Sequence, residues 1–205
     1  MSRLTLPAAD LPSPEAESDG RRRRSRDSRA RIVAALLELV HGGELSPSAE
    51  LVAARAGVGL RSVFRHFKDM DSLYREMSLI VEQELATILD RPLEAGDPAG
   101  RILEIVARRA ETFEKIAPYK RAGDVIRHRS PFLEAAHVRM NVISREVLRQ
   151  VLPPAVAADR LTLEAIDLLL SWQSWQRLRR DQGLSPRRAR EVVEAAVLRL
   201  IGPLP

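Results

Sequence analysis

Hydrophobic residues recur three or four positions apart through most of the chain, which is the spacing of amphipathic helices. Proline and glycine residues interrupt this pattern and mark the expected helix ends. Pro118 is expected to stop one helix, Pro153-Pro154 to end another, and Ser185-Pro186 to begin the last. The pattern predicts helices over residues 31–40, 46–56, 60–67, 70–89, 99–117, 131–151, 161–180 and 186–201, with a shorter segment at 119–127.

Residues 56–67 have the pattern of the turn and second helix of a helix-turn-helix. Gly57 stands where the first helix must end in the left-handed region, and Val58 is the apolar residue expected to fill the gap between the helices. Val63 and Phe67 are four positions apart, so they share an inward face. The outer faces carry Leu60, Arg61, Ser62, Phe64, Arg65 and His66. Arginine, serine and histidine on a short helix suit the major groove of DNA, where they contact guanine and phosphate.

Two preceding helices complete the expected unit. Ser46 and Pro47 are predicted to cap and begin the middle helix. Small residues there, Ala53 and Ala56, allow a close helix crossing. The apolar stripes expected to form one small core are Ile32, Val33, Leu36, Leu39 and Val40 on the first helix, and Leu51, Val52, Ala53 and Ala56 on the second.

Residues 27–77 resemble the DNA-binding domain of the TetR family of bacterial transcriptional regulators. The motifs that carry the resemblance are Arg-Ile-x-x-Ala-Leu at 31–36, Val-Ala-x-x-Ala-Gly-Val at 52–58, and Ser-Val-Phe-Arg-His-Phe at 62–67 followed by Asp-Ser-Leu at 71–73. Three positions depart from the family pattern: Gly59 replaces a common serine, Phe64 a common tyrosine and Met70 a common lysine. The residues expected to contact DNA are Ser48, Leu60, Arg61, Ser62, Phe64, Arg65, His66 and Lys68.

Positive charge is concentrated around this unit. Residues 21–75 contain 12 Lys or Arg and 6 Asp or Glu, as expected of a surface that binds a polyanion. Residues 1–20 are acidic and without a period, so we expect them to be disordered. The arginine-rich block at 21–26 is expected to be flexible, and it either lies along DNA or remains a solvated tail.

The last two predicted helices have broad apolar surfaces. A helix with such a surface needs two burial partners, and the simplest arrangement is a two-fold interface with the same helix pair of a second subunit. The alternative is burial within one subunit. The resemblance implies the same homodimer, with Leu168, Trp175, Val193 and Val197 as its expected interface residues.

The resemblance also implies that the carboxy-terminal domain binds a small molecule, although no motif locates it. Large or polar residues on otherwise apolar helices are the candidates, and a structural role is open for each. They are Arg109, Phe113, His137, Asn141, Trp172 and Gln176.

Several function classes are excluded by what the sequence does not contain. It has no Cys, which excludes disulfides and thiolate metal sites. Its four histidines form no metal-binding or catalytic spacing, and no phosphate-binding loop or nucleophile elbow is present, so we expect no catalytic residue, metal or cofactor. No apolar run reaches membrane-spanning length and no secretory signal is apparent, so a cytosolic protein without membrane contact is expected.

The sequence therefore predicts an all-α protein of about nine helices. Its expected parts are an acidic and then arginine-rich arm (1–26), a three-helix helix-turn-helix domain (27–75) and a larger helical ligand-binding and dimerisation domain (76–205). The expected function is that of a homodimeric repressor released from a palindromic DNA operator by a small molecule. The alternatives are a DNA-binding dimer without a small-molecule effector, and a small-molecule binding protein with weakened DNA binding.

Overall fold

The computed structural model describes the backbone of residues 14–202, and side chains from residue 23 onward except Arg24. This range contains ten α-helices and no strand. The helices are α1 (Pro14–His41), α2 (Ala49–Ala56), α3 (Leu60–His66), α4 (Met70–Leu89), α5 (Pro98–Ile126), α6 (Pro131–Val151), α7 (Pro154–Ala158), α8 (Arg160–Leu169), α9 (Trp172–Gln176) and α10 (Pro186–Ile201). A 3₁₀ turn covers Arg127–Arg129 and a π-helical turn covers Arg177–Asp181. None of these helices is long and apolar enough to cross a membrane.

Helices α1 to α4 surround one core. The inward positions predicted on α1 are all buried, as are Val52 and Ala53 on α2. Val63 and Phe67 point into the same core, as their spacing predicted. Helix α4 adds Leu73, Tyr74 and Met77 to this core, as the apolar stripe at its start predicts.

The turn between α2 and α3 has the predicted geometry at Gly57. Its φ of 62° is left-handed, and its N–H bonds back to the carbonyl of Ala54. The start of α2 differs from the prediction, because Ser48 rather than Ser46 caps it. The Ser48 hydroxyl accepts the N–H of Leu51 at 3.2 Å, which delays the first helical residue to Ala49. Leu51 lies on the outer face of α2 and is exposed, so it does not join the core.

Helix α1 begins much earlier than expected. Residues 14–26 are helical rather than disordered, which corrects the described part of the predicted arm; residues 1–13 lie outside the described range. Arg and Glu make up seven of the thirteen residues of this segment, and both are good helix formers. A helix already fixed by packing at residues 32–40 extends at low cost, because propagation adds one hydrogen bond for each residue ordered.

Helix α5 continues through Pro118, where the sequence predicted its end. Proline removes one hydrogen bond from a helix interior, but α5 has buried residues on both sides of Pro118. Ile102 and Val106 lie in a second core with α6, α8 and α10, while Ala122 is fully buried in the first core. These packing contacts outweigh the local preference of proline.

The predicted helix 161–180 is divided in two. Leu170 and Ser171 interrupt it, and the Ser171 hydroxyl caps α9 by accepting the N–H of Ser174 at 3.2 Å. The Arg109 guanidinium donates to the Leu170 carbonyl at 2.9 Å, which satisfies a polar group released by the break. This interruption adds one helix and the unpredicted α7 adds another, while the segments 99–117 and 119–127 merge into α5, so ten helices are present in the described range where about nine were expected.

Substitutions at two glycines should separate backbone strain from helix capping. Replacing Gly57 with alanine should lower the free energy of unfolding by about 1–2 kcal/mol, because a Cβ is disfavoured at positive φ. Gly59 caps α3 at an ordinary φ of −72° without a side-chain hydrogen bond. Gly59→Ser should therefore raise the same free energy by a few tenths of a kcal/mol. Urea denaturation of both variants tests this, and equal effects would contradict it.

Candidate nucleic-acid interface

The outer face of α3 carries an exposed basic and apolar surface. Arg61 and Arg65 are exposed, and no acidic residue lies on this helix. Arg65 Nη2 lies 3.3 Å from Ser62 Oγ, which holds the guanidinium along the helix. Phe64 is 49% exposed between the two arginines, and Leu60 is also exposed. The structure therefore places five predicted DNA-contacting side chains together on one surface.

Two further predicted contacts flank this helix. Lys68 is exposed in the segment that follows α3. Ser48 stands at the start of α2, and its oxygen accepts a backbone N–H while its own O–H remains able to donate. Both positions suit phosphate contacts beside the groove.

His66 is placed differently from its neighbours. It is half-buried, and its Nε2 atom is buried without a hydrogen-bond partner among the described residues. Burial, followed by the charges of Arg65 and Arg29, lowers the pKa of His66. A neutral, partly buried imidazole is less suited to bind phosphate than the sequence suggested.

Arg29 of α1 is a residue of this region that sequence reasoning missed. Its Nη1 donates to the carbonyl of His66 at 2.8 Å, and its Nη2 lies 2.7 Å from Glu76 Oε2 on α4. The guanidinium carbon also lies 4.2 Å from the centre of the Phe67 ring. No motif of the sequence connects residues 29, 66 and 76, so only the fold reveals this arrangement.

The predicted effector residues do not line one pocket. Arg109 donates to the carbonyls of Leu170 at 2.9 Å and Ser144 at 2.7 Å. These bonds connect α5 with α6 and with the interruption between α8 and α9. Phe113 packs against Trp172 and Trp175, with ring centres 5.7 Å and 6.3 Å apart. The hydrogen bonds of Arg109 and the ring contacts of Phe113 and Trp172 give these three effector candidates structural roles.

The other three effector candidates lie in two places, with His137 and Asn141 together on α6 and Gln176 on α9. Lys120 donates to His137 Nδ1 at 2.9 Å, and the Asn141 amide lies 3.2 Å from His137 Nε2. Gln176 lines a surface cleft of about 480 Å³ beside Trp172 and Arg180. A larger cleft of about 780 Å³ lies between α5 and α10, and it contains none of the six candidates.

Three of the four predicted interface residues are buried inside the protomer. Val193 and Val197 lie in the second core, and Trp175 lies in the aromatic cluster with Phe113. Val193 and Val197 are covered by α5, α6 and α8, and Trp175 is covered by α5 and α10, which corrects the assignment of these positions to a dimer surface. Leu168 differs, because it is 65% exposed.

The two histidines with lowered pKa values should make stability depend on pH. Burial first, and Lys120 second, lower the pKa of His137, as burial lowers that of His66. The unfolded chain then binds more protons than the folded protein as pH falls below about 6.5. The thermal midpoint of unfolding should therefore be lower at pH 5.5 than at pH 7.5, and His137→Gln should make this difference smaller. A midpoint independent of pH over this range would contradict the assignment.

Comparison with known proteins yields matches of structure only, since no family model and no curated protein matches the chain. A transcriptional regulator from Rhodococcus sp. Rha1 has a TM-score of 0.65 at 20% identity, over 82% of this chain and 93% of that one. The TetR-family transcriptional regulator PfmR from Thermus thermophilus has a TM-score of 0.58 at 17% identity, over 95% and 99%. The multidrug binding protein EbrR, solved with imidazole, has a TM-score of 0.57 at 23% identity, over 98% and 99%. The chain thus has the all-helical fold of these regulators, as the resemblance of residues 27–77 predicted.

Proposed function

We propose that this protein is a sequence-specific DNA-binding regulator of transcription that acts as a homodimer. The observation that carries the proposal is the outer face of α3, where Arg61, Phe64 and Arg65 are exposed without an acidic neighbour on the helix. A short helix held by a glycine turn over a buried core is the arrangement that enters a major groove.

The side chains of α3 offer two kinds of base contact. Arginine can bind the O6 and N7 atoms of guanine with two hydrogen bonds. Phe64 and Leu60 have no use in the core, and their apolar surfaces suit the methyl group of thymine. The combination favours a site that contains both guanine and thymine. A helix with only basic side chains would not select thymine over the other bases.

The apolar outer face of α8 supports the proposed homodimer. Leu161 is 78% exposed and Leu168 is 65% exposed. Because they are seven positions apart, they lie on the same side of α8, away from Leu163 and Ile166 in the core. Leu198 and Leu200 add exposed apolar surface on α10. A two-fold pairing of these faces would present two α3 helices to a palindromic site.

Release by a small molecule is the second part of the proposal. Helix α4 is the covalent connection between the first core and the larger domain, and EbrR, which shares the fold, is a multidrug binding protein. A ligand that shifted α4 would change the spacing of the two α3 helices. It would need to prefer the mis-spaced state by about 1–3 kcal/mol.

A dimer without an effector is the second candidate, and one observation favours it. Arg109, His137 and Trp172 all have hydrogen-bond partners within the protein, so none of them needs a ligand to satisfy its polar group. A thermal-shift screen of small molecules distinguishes the two candidates. A compound that raises the thermal midpoint and releases bound DNA supports an effector.

Selection of binding sites from a random duplex library tests the proposed DNA binding. We expect enrichment of a palindrome whose half-sites lie about 34 Å apart. Arg61→Ala should weaken binding to the selected duplex by about 1–3 kcal/mol and to random DNA much less. Arg187→Ala, which removes an exposed arginine of α10, is the matched control and should change neither affinity. Failure of the wild-type protein to enrich any sequence would refute sequence-specific binding.

Sedimentation of charged variants tests the proposed dimer surface. Leu168→Glu should give folded monomers, because each copy would bury an unpaired carboxylate in the interface. Leu79→Glu places the same charge on an equally apolar, exposed position of α4 and should leave the dimer intact. Val193→Glu should instead lower the thermal midpoint, because that position lies in the core of one protomer. A Leu168→Glu protein that still sediments as a dimer would exclude this surface.

A further inference from the structure

One guanidinium contacts three separate parts of the DNA-binding unit. Arg29 belongs to α1, its Nη1 reaches the last carbonyl of α3 at His66, and its Nη2 reaches Glu76 on α4. Its planar face covers Phe67, the residue that ends α3 and enters the core. The contacts therefore meet where the recognition helix ends and the chain turns towards α4.

The chemistry of each contact explains why arginine is suited to this position. The carbonyls in the last turn of a helix lack intrahelical partners, and a cation there also interacts favourably with the helix dipole. The Glu76 carboxylate offers a charge-assisted hydrogen bond at 2.7 Å. Arginine can make both bonds and stack on a ring at once because its donors are fixed in one plane, which lysine cannot reproduce.

The same contacts distinguish Arg29 from a residue that binds phosphate. Both of its terminal nitrogens are engaged within the protein, and one face of its guanidinium is covered by Phe67. Arg61 and Arg65, by contrast, are exposed on the outer face of α3. Arg29 thus has two N–H donors bound to acceptors of the protein itself, which gives it a role in the geometry of the unit.

We propose that Arg29 is a positioning residue, which holds the end of the recognition helix α3 against α4 through Glu76 and so fixes the orientation in which α3 meets DNA. The proposal rests on the proposed role of α3 in DNA binding. It adds a physical connection between α4 and the recognition helix that the three-residue link of Phe67, Lys68 and Asp69 does not supply by itself.

The connection also indicates how movement of α4 would reach α3. Asp69 and Ser72 close a capping box at the start of α4, so this end of the helix is a firm unit with the preceding link. Glu76 lies one turn further along the same helix. A shift of α4 would carry the carboxylate with it, and Arg29 would then follow Glu76 or keep its bond to the His66 carbonyl.

Two variants and their combination test the proposal. Arg29→Met keeps a long apolar stem over Phe67 but removes every donor, and Glu76→Gln keeps the shape of the side chain but removes its charge. The first readout, which needs no DNA, is hydrogen exchange at the amides of residues 63–67. We expect Arg29→Met to speed this exchange about tenfold, Glu76→Gln to speed it less, and the double variant to match Arg29→Met.

The second readout is the salt dependence of binding to the duplex selected by the wild-type protein. Arg29→Met should weaken this binding about tenfold while the slope of log affinity against log salt stays unchanged. A control comes from Arg91→Met, which removes a partner of Glu111 at the same 2.7 Å distance but far from α3. It should alter neither exchange at 63–67 nor binding.

Three results would overturn the proposal. Unchanged exchange together with a slope reduced by about one unit would make Arg29 a phosphate contact. Additive effects of Arg29→Met and Glu76→Gln would show that the two side chains act independently. If Arg29→Met does not fold, Arg29→Lys replaces it, and wild-type exchange in that variant would refute the need for the planar contacts. Failure of the wild-type protein to select DNA would refute the proposed function and leave the exchange result to decide on Arg29.

Discussion

The structure depends on one packing constraint, which is that the unit formed by α1 to α4 does not close its core by itself. Ala122 of α5 is fully buried among residues of α1 to α4, and Tyr119, Ile126 and Leu133 pack against the same cluster. The ring of Tyr119 lies 6.3 Å from that of His41 at the end of α1. A helix of the larger domain is thus part of the first core, and α1 cannot move away from α5 without exposing apolar surface.

Helix α5 joins the two cores because it is longer than the sequence suggested. Its first half packs with α8 and α10 through Ile102 and Val106, and its second half packs with α1. Between these halves, Glu114 accepts hydrogen bonds from Trp175 at 2.9 Å and from Arg179 at 2.7 Å, beside the π-helical turn. Burial works against the ionised form of this carboxyl, but the bonds from Arg179 and Trp175 outweigh it and lower its pKa. Polar contacts therefore fix the register of α5 where Pro118 weakens its backbone.

The local chemistry of the sequence predicted the elements whose determinants lie close together. Gly57 and Ser185 mark helix ends through their own backbone or hydroxyl groups, and the i, i+4 spacing of Val63 and Phe67 was enough to assign their inward face. Pro118 and Ser171 misled the prediction for the opposite reason. Whether a helix survives a proline or breaks at a serine depended here on Ala122 and Arg109, which act from distant parts of the fold.

The residues of the candidate site likewise differ in whether local sequence could predict their placement. The exposure of Arg61, Phe64 and Arg65 could be predicted because a single short helix has few ways to place its faces. The apolar residues of α8 and α10 could not, since Leu161 and Leu163 are equally hydrophobic and only tertiary packing decides which of them the protomer covers. Arg29 shows the limit more sharply, because a lone arginine in a basic segment carries no mark of the carbonyl and carboxylate it will meet.

Two physical routes consequently lead from the larger domain to α3. One runs along α4 to Glu76 and Arg29, and the other runs from α5 through the shared core to α1, which also carries Arg29. Both routes converge on the carbonyl of His66, at the end of α3. Leu73, Tyr74 and Met77 hold the first half of α4 in the same core, so a displacement of α4 would act on α3 through this packing as well as through Glu76 and Arg29. The Arg29–Glu76 ion pair is half-exposed, so it is the part of this connection that can break without exposing apolar surface of the core.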